Sequence, residues 1–168
     1  AFCGEHARAR GSRPQQGQPE APLMDLSNPI VWVHAEALGP ANPALVGCPK
    51  APALFVFDAD WIATQRISRK RLGFLYECAL ELPLTLRRGD VVAEVLAFAK
   101  RCGADGVVTS GAVDPRLNRY AERIKRELPL WILDGDPFVE LPRPPRLGRF
   151  SRYWREAEAV VWEGFKGS

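Results

Sequence analysis

The residues with chemistry to offer in this chain are two histidines, four cysteines and a scatter of carboxylates and hydroxyls, and their spacing excludes most of the familiar options. His6 lies in an aperiodic polar stretch, which leaves His34 alone, so neither a His-centred triad nor a metal site is supported. Cys3, Cys48, Cys78 and Cys102 contain no CxxC pair, and the last two fall in helical patterns. Neither a zinc site nor a disulfide framework is indicated, and a reducing cytoplasm is the expected setting. No GxGxxG, P-loop or GxSxG is present. What remains is positional: His34, Asp58 with Asp60, and Ser110 each end or follow an apolar run of strand length, where parallel sheets place ligands. Asp58 reads equally as a cap of the next turn or as a ligand contact. His34 reads first as a strand-end residue, for want of a partner.

Three charged features admit a second reading. Gly89-Asp90 opens a helix, and a helix N-terminus attracts anions, but a carboxylate there would repel phosphate and fits a cap. Arg66, Arg69, Lys70 and Arg71 gather where a helix begins; cations oppose the helix dipole there unless something negative is near, and a solvated face is the commoner outcome. Arg143, Arg146, Arg149, Arg152 and Arg155 recur at every third position, interleaved with Phe150, Tyr153 and Trp154. Such a segment suits docking to an acidic surface or a phosphate backbone; a solvated linker with tucked aromatics explains it equally.

The elements that must position these residues alternate. Ile30 to His34 is an apolar run suited to a central strand, and Ala53 to Asp58 is a second. The Pro- and Gly-containing stretch from Glu36 to Lys50 reads as a loop with at most one helical turn. Leu72, Leu75, Ala79 and Leu82, with Phe74 and Cys78 beside them, predict a helix that Pro83 stops, before a strand at Leu84 to Arg87. Asp90 caps a helix carrying Val91, Val92, Val95, Leu96 and Ala99, and Gly103 ends it ahead of Val107 to Thr109. Asp114-Pro115 opens a helix to about Leu128, Leu130 to Leu133 is the fifth strand, and Phe138-Val139 is a short extended piece. The expected fold is α/β, a Rossmann-like three-layer sandwich on a five-stranded parallel sheet.

The 168 residues suit one domain, and 46% hydrophobic content suffices for its core. Residues 30–141 form the expected α/β domain and 142–168 an Arg/Pro/aromatic C-terminal segment. Residues 1–29 are expected to be a disordered extension, with Met24 as a candidate true start. A net charge of +3 permits an anionic partner without requiring one. No apolar run is long enough for a membrane span and no signal-peptide pattern opens the chain, so a cytoplasmic protein without membrane contact is expected.

In order and spacing, these residues resemble the N-terminal α/β domain of the DNA photolyase and cryptochrome family. The likeness runs from Trp32-Val33-His34 through Asn42-Pro43-Ala44-Leu45, Phe55-Val56-Phe57-Asp58, and Ser68, Arg71, Phe74 and Leu75. It continues through Arg88-Gly89-Asp90, Val95-Leu96, Gly103-Ala104, Val107-Val108, Pro115 and Arg119 to Phe150-Ser151-Arg152-Tyr153-Trp154. The chain departs from the family at His34-Ala35, where a basic pair is usual, at Ala41 in place of Asp, and at Gly111-Ala112-Val113-Asp114-Pro115.

The resemblance implies an antenna site for a folate, deazaflavin or flavin at the carboxyl edge of the sheet, with His34, Phe57, Asp58, Ala59, Trp61 and Ser110 as its contacts. FAD is not expected in this chain, because the family carries it in a helical domain. The implied role is an antenna-binding or accessory subunit of a split photolyase, with DNA engaged only indirectly. Catalytic residues are not expected, and Arg149, Phe150, Arg152, Tyr153, Trp154 and Arg155 would meet a separately encoded FAD-binding domain. Two alternatives are a nucleotide-binding protein of universal-stress type, for which Ser110-Gly111 is too little of the required glycine loop, and a pure protein-interaction module.

Overall fold

The structure, a computed structural model, describes residues 26–135, 139, 141 and 148–165. Each apolar run forms a strand: β1 (Pro29–Val33), β2 (Ala53–Asp58), β3 (Leu84–Gly89), β4 (Gly106–Ser110) and β5 (Leu130–Leu133). They make one parallel sheet in the order β3-β2-β1-β4-β5. The chain therefore winds outward from β1 in one direction and then, after β3, in the other. The fold is α/β and Rossmann-like, and its switch point lies between β1 and β4, where the crevice of such sheets opens.

Among the described residues five α-helices join the strands, α1 (Pro43–Gly47), α2 (Ala59–Thr64), α3 (Arg69–Leu80), α4 (Val91–Cys102) and α5 (Pro115–Lys125), and α6 (Phe150–Phe165) follows β5. Their starts are written in side chains: Asn42, Asp58, Ser68, Asp90 and Asp114 each accept a hydrogen bond from a backbone N–H of the turn they cap. Gly103 closes α4 in the left-handed conformation at φ +60°, with its N–H on the carbonyls of Ala99 and Lys100.

Strand alternation divides the core. Ile30, Trp32, Leu54, Val56 and Val107 meet Val91, Val95, Phe98 and Ala99 of α4 and Leu117, Ala121 and Ile124 of α5. Val31, Val33, Phe55 and Val108 face the other way, toward Ala44 of α1 and Cys48. Trp32 is 2% exposed, and full burial of a side chain of this kind contributes about 3 kcal/mol.

Several expectations are corrected. Residues 26–29 belong to the folded domain: the backbone N–H groups of Ser27 and Asn28 donate to the Asp105 carboxylate, and Asn28 Nδ2 donates to the carbonyls of Cys102 and Gly103. The isolated Asp105 offered no periodic signal that would reveal this. The expected extension otherwise falls outside the described residues, as do Phe138, Arg143 and Arg146. β3 continues past Arg87 to Gly89, because its pairing with β2 carries on to Asp58. Phe74, expected beside the buried stripe of α3, is 64% exposed, while Leu75 and Ala79 are buried. The C-terminal segment is helical: α6 puts Phe150, Tyr153, Trp154, Ala157, Val160 and Val161 along one stripe at helical spacing, with Ala157 fully buried.

Candidate functional site

β2 ends at Asp58, which is also the N-cap of α2; the short helix follows from that cap, since nothing in its six residues would hold it alone. Asp58 Oδ1 accepts the N–H of Trp61 at 2.9 Å. Its Oδ2 accepts from Arg116 Nη1 and from the Tyr120 hydroxyl, each at 2.7 Å. Three donors thus serve one carboxylate that is 6% exposed. The cap reading of Asp58 is realised, and an ion pair is added to it.

Arg116 and Tyr120 arrive on α5. Asp114 caps this helix through the Arg116 N–H at 2.8 Å, and Pro115 preorganises its first turn. The Arg116 guanidinium reaches Asp58, touches Asp114 Oδ2 at 3.2 Å, and lies 4.4 Å from the centroid of the Trp61 ring. Arg71 of α3 lies 5.2 Å from the same ring. The backbone hydrogen bond from Arg116 holds the Asp114 carboxyl below its ordinary value, against a smaller opposing effect of burial. Burial first, and the bond to Asp58 second, push the Tyr120 phenol up to about 12. Tyr120 is accordingly a neutral donor across the physiological range.

His34 follows β1 directly and is 3% exposed. Its Nε2 lies 3.0 Å from the carbonyl oxygen of Ser110, which can only accept, so Nε2 carries the proton in this contact. In the neutral ring Nδ1 is then an acceptor, and it is buried without a hydrogen-bond partner among the described residues. His34, Trp32, Asp58, Trp61, Leu75 and Arg116 line a depression at the carboxyl edge of the sheet. Its enclosed part is about 30 Å³, room for one or two water molecules, while the whole depression out to open solvent is about 410 Å³.

Of the residues singled out from sequence, His34, Phe57, Asp58 and Trp61 border this depression. The Phe57 ring packs against Phe55 at 5.0 Å, in the core layer on the opposite face. Ala59 opens α2 beside the depression without bordering it. The Ser110 hydroxyl is turned away: it donates to Asn42 Oδ1 at 2.9 Å, so that only the Ser110 carbonyl reaches His34. Asn42 also accepts the Leu45 N–H and donates to the Ala37 carbonyl, fixing the loop after β1. Glu36 ties that loop to the one after β4 by accepting the N–H groups of Val113 and Asp114 at 2.7 and 3.1 Å.

No family model matches the chain, and no curated protein is significantly similar to it.

As site residues, Arg116 and Tyr120 escaped sequence reasoning. The signal was present in Asp114-Pro115, since a helix that opens after β4 aims its first two turns at the carboxyl edge; on that basis Arg116, and Tyr120 one turn later, are the residues to pick. Among the described residues, no group of three or more His, Cys, Asp or Glu could hold a metal ion, and no helix is long and apolar enough to cross a membrane. Arg149, just before α6, and Phe150, Arg152 and Arg155 on it are exposed, while Tyr153 and Trp154 are half-buried. The rings of Phe150 and Trp154 stack with centroids 6.0 Å apart.

Proposed function

We propose that this chain is a deoxyribodipyrimidine photolyase-related α/β domain that binds an antenna chromophore, or serves as an accessory subunit, beside a separately encoded FAD-binding domain. The observation that carries the reading is His34 Nδ1, a buried acceptor without a partner, at the edge of a depression at the sheet's switch point. Folates, deazaflavins and flavins each present a ring N–H beside a carbonyl, which is the group such an acceptor would recognise. The bound chromophore would supply absorption in the near-UV or blue. His34 would orient it, Trp61 would offer a ring face or edge, and the Asp58 to Arg116 pair would hold both walls in place. Because the enclosed space fits only water, the heterocycle must displace Arg116 from over Trp61 or lie across that pair. The test is the spectrum of the purified full-length protein, and its titration with folate, deazaflavin and FMN. A bound chromophore lost in His34→Phe supports the reading; colourless protein that binds none of the three ends it.

The narrow enclosed space favours a second reading, a module that acts by docking alone. Phe150, 74% exposed on top of its stack with Trp154, and the exposed Arg149, Arg152 and Arg155 would form the contact. The expected result is capture of the FAD-binding partner by the wild type and not by the variant with all three arginines replaced by Ala. Equal capture by both removes α6 from that role. On either reading the chain has no repair activity of its own and meets DNA through its partner.

A further inference from the structure

The carboxyl edge also carries a row of cations that the antenna reading does not use. Arg66, Arg69, Lys70 and Arg71 lie at the junction of α2 and α3, and all four are exposed. Arg87 and Arg88, also exposed, pair with Val56 and Phe57 on the edge strand β3, where α2 packs against it; strand alternation turns the two side chains to opposite faces, so that they flank the edge rather than share one face. Arg71 reaches Trp61 of α2, so the two groups adjoin. None of these six takes part in an ion pair among the described residues, where both ion pairs belong to Arg116. The first turn of α3 holds no acidic residue, and its cations face the positive end of the helix dipole. Among the acidic residues on the adjoining elements, Asp90 is committed to the α4 cap and Glu94 lies against Gly89, while Asp60, Glu77 and Glu81 make no ion pair with these cations among the described residues. With none of the six ion-paired among the described residues, the free chain keeps a strip of cations without a direct counter-charge at this edge. Phe74, 64% exposed, follows Lys70 by four residues and Arg71 by three, which places its ring on the same helix face.

We infer that this strip binds a single-stranded nucleic acid, with the cations of α3 and β3 on its phosphates and Phe74 under a base. A strand offers what the strip lacks: evenly spaced negative charge, and flat rings open to stacking. An acidic protein would satisfy the cations and leave Phe74 exposed. The contact is direct, unlike the partner-mediated contact proposed above, and does not depend on a chromophore.

The experiment is fluorescence anisotropy of a labelled oligothymidylate with the full chain over a series of potassium chloride concentrations. Neutralising about five phosphates predicts a plot of log affinity against log salt with a slope of roughly −3 to −4. Replacing Arg69, Lys70 and Arg88 with Glu, all exposed and outside the core, should weaken binding at least about tenfold and flatten the slope. Phe74→Ala should cost about tenfold with the slope unchanged, the mark of a stacking contact. Replacing Arg149, Arg152 and Arg155 with Ala should change neither. Binding without salt dependence, equal binding by the Glu variant, or competition by polyglutamate as effective as that by unlabelled oligonucleotide would each overturn the inference. Colourless protein that takes up none of the three chromophores yet still binds the oligonucleotide would end the antenna reading and leave this one standing.

Discussion

Replacing Asp58 with Ala tests whether the carboxyl edge is held by one residue. The substitution removes the N-cap of α2, which is worth about 1 kcal/mol. It also removes the acceptor of the Arg116 guanidinium at 2.7 Å, a hydrogen bond to a charged group worth roughly 2 kcal/mol, and that of the Tyr120 hydroxyl, worth roughly 1 kcal/mol. Part is recovered, because Arg116 keeps Asp114 and Trp61 and its side chain is 18% exposed, so water reaches it. The expected loss is about 3 kcal/mol, or about 10 °C in Tm for a domain of this size. Urea denaturation of wild type, Asp58→Ala, Arg116→Met and the double variant should yield a coupling of about 1–2 kcal/mol between the two sites. Asp58→Asn, which retains an acceptor for the cap, should lose less than the Ala variant. A loss below about 1 kcal/mol in Asp58→Ala, or additivity of the two single variants within about 0.3 kcal/mol, would refute the argument that this carboxylate organises the edge.

Other consequences are simpler. The Tyr120 phenol is held up at about 12, so the folded state keeps a proton that the unfolded chain releases near pH 10. Stability is therefore full below about pH 10 and falls as pH rises toward about 12; phenolate absorbance should show one late-titrating tyrosine, absent in Tyr120→Phe. Gly103→Ala, at φ +60° with open space around the new Cβ, should lose about 1 kcal/mol from backbone strain alone, measured by urea denaturation. Asn28→Ala deprives the carbonyls of Cys102 and Gly103 of a donor; a loss of about 1–2 kcal/mol is expected, and no loss would show that water replaces Asn28 there.

The sheet was legible because β1, β2 and β4 are continuous apolar runs buried on both faces, and because Asp90, Gly103 and Asp114-Pro115 punctuate the helices with residues whose local chemistry is nearly sufficient. Where a boundary depended on a neighbour, the sequence was silent. β3 runs to Gly89 only because β2 pairs with it that far, and α2 exists only because Asp58 caps it. The same distinction explains what was visible of the site. Position after a strand brought out His34, Asp58 and Trp61, but position does not say which face a side chain takes. Ser110 and His34 sit side by side at the ends of β4 and β1, yet strand alternation turns the Ser110 hydroxyl toward Asn42 and sends His34 toward α4 and α5. Arg116 is the converse case: 58 residues from Asp58 in sequence, it is brought to 2.7 Å by the crossover through α4 and β4. The two errors share a cause, since a side chain's partner is set by sheet order and register. Once the order β3-β2-β1-β4-β5 is known, the first turns of the helices after β2 and β4 must converge on the end of β2, and the Asp58, Trp61 and Arg116 cluster follows.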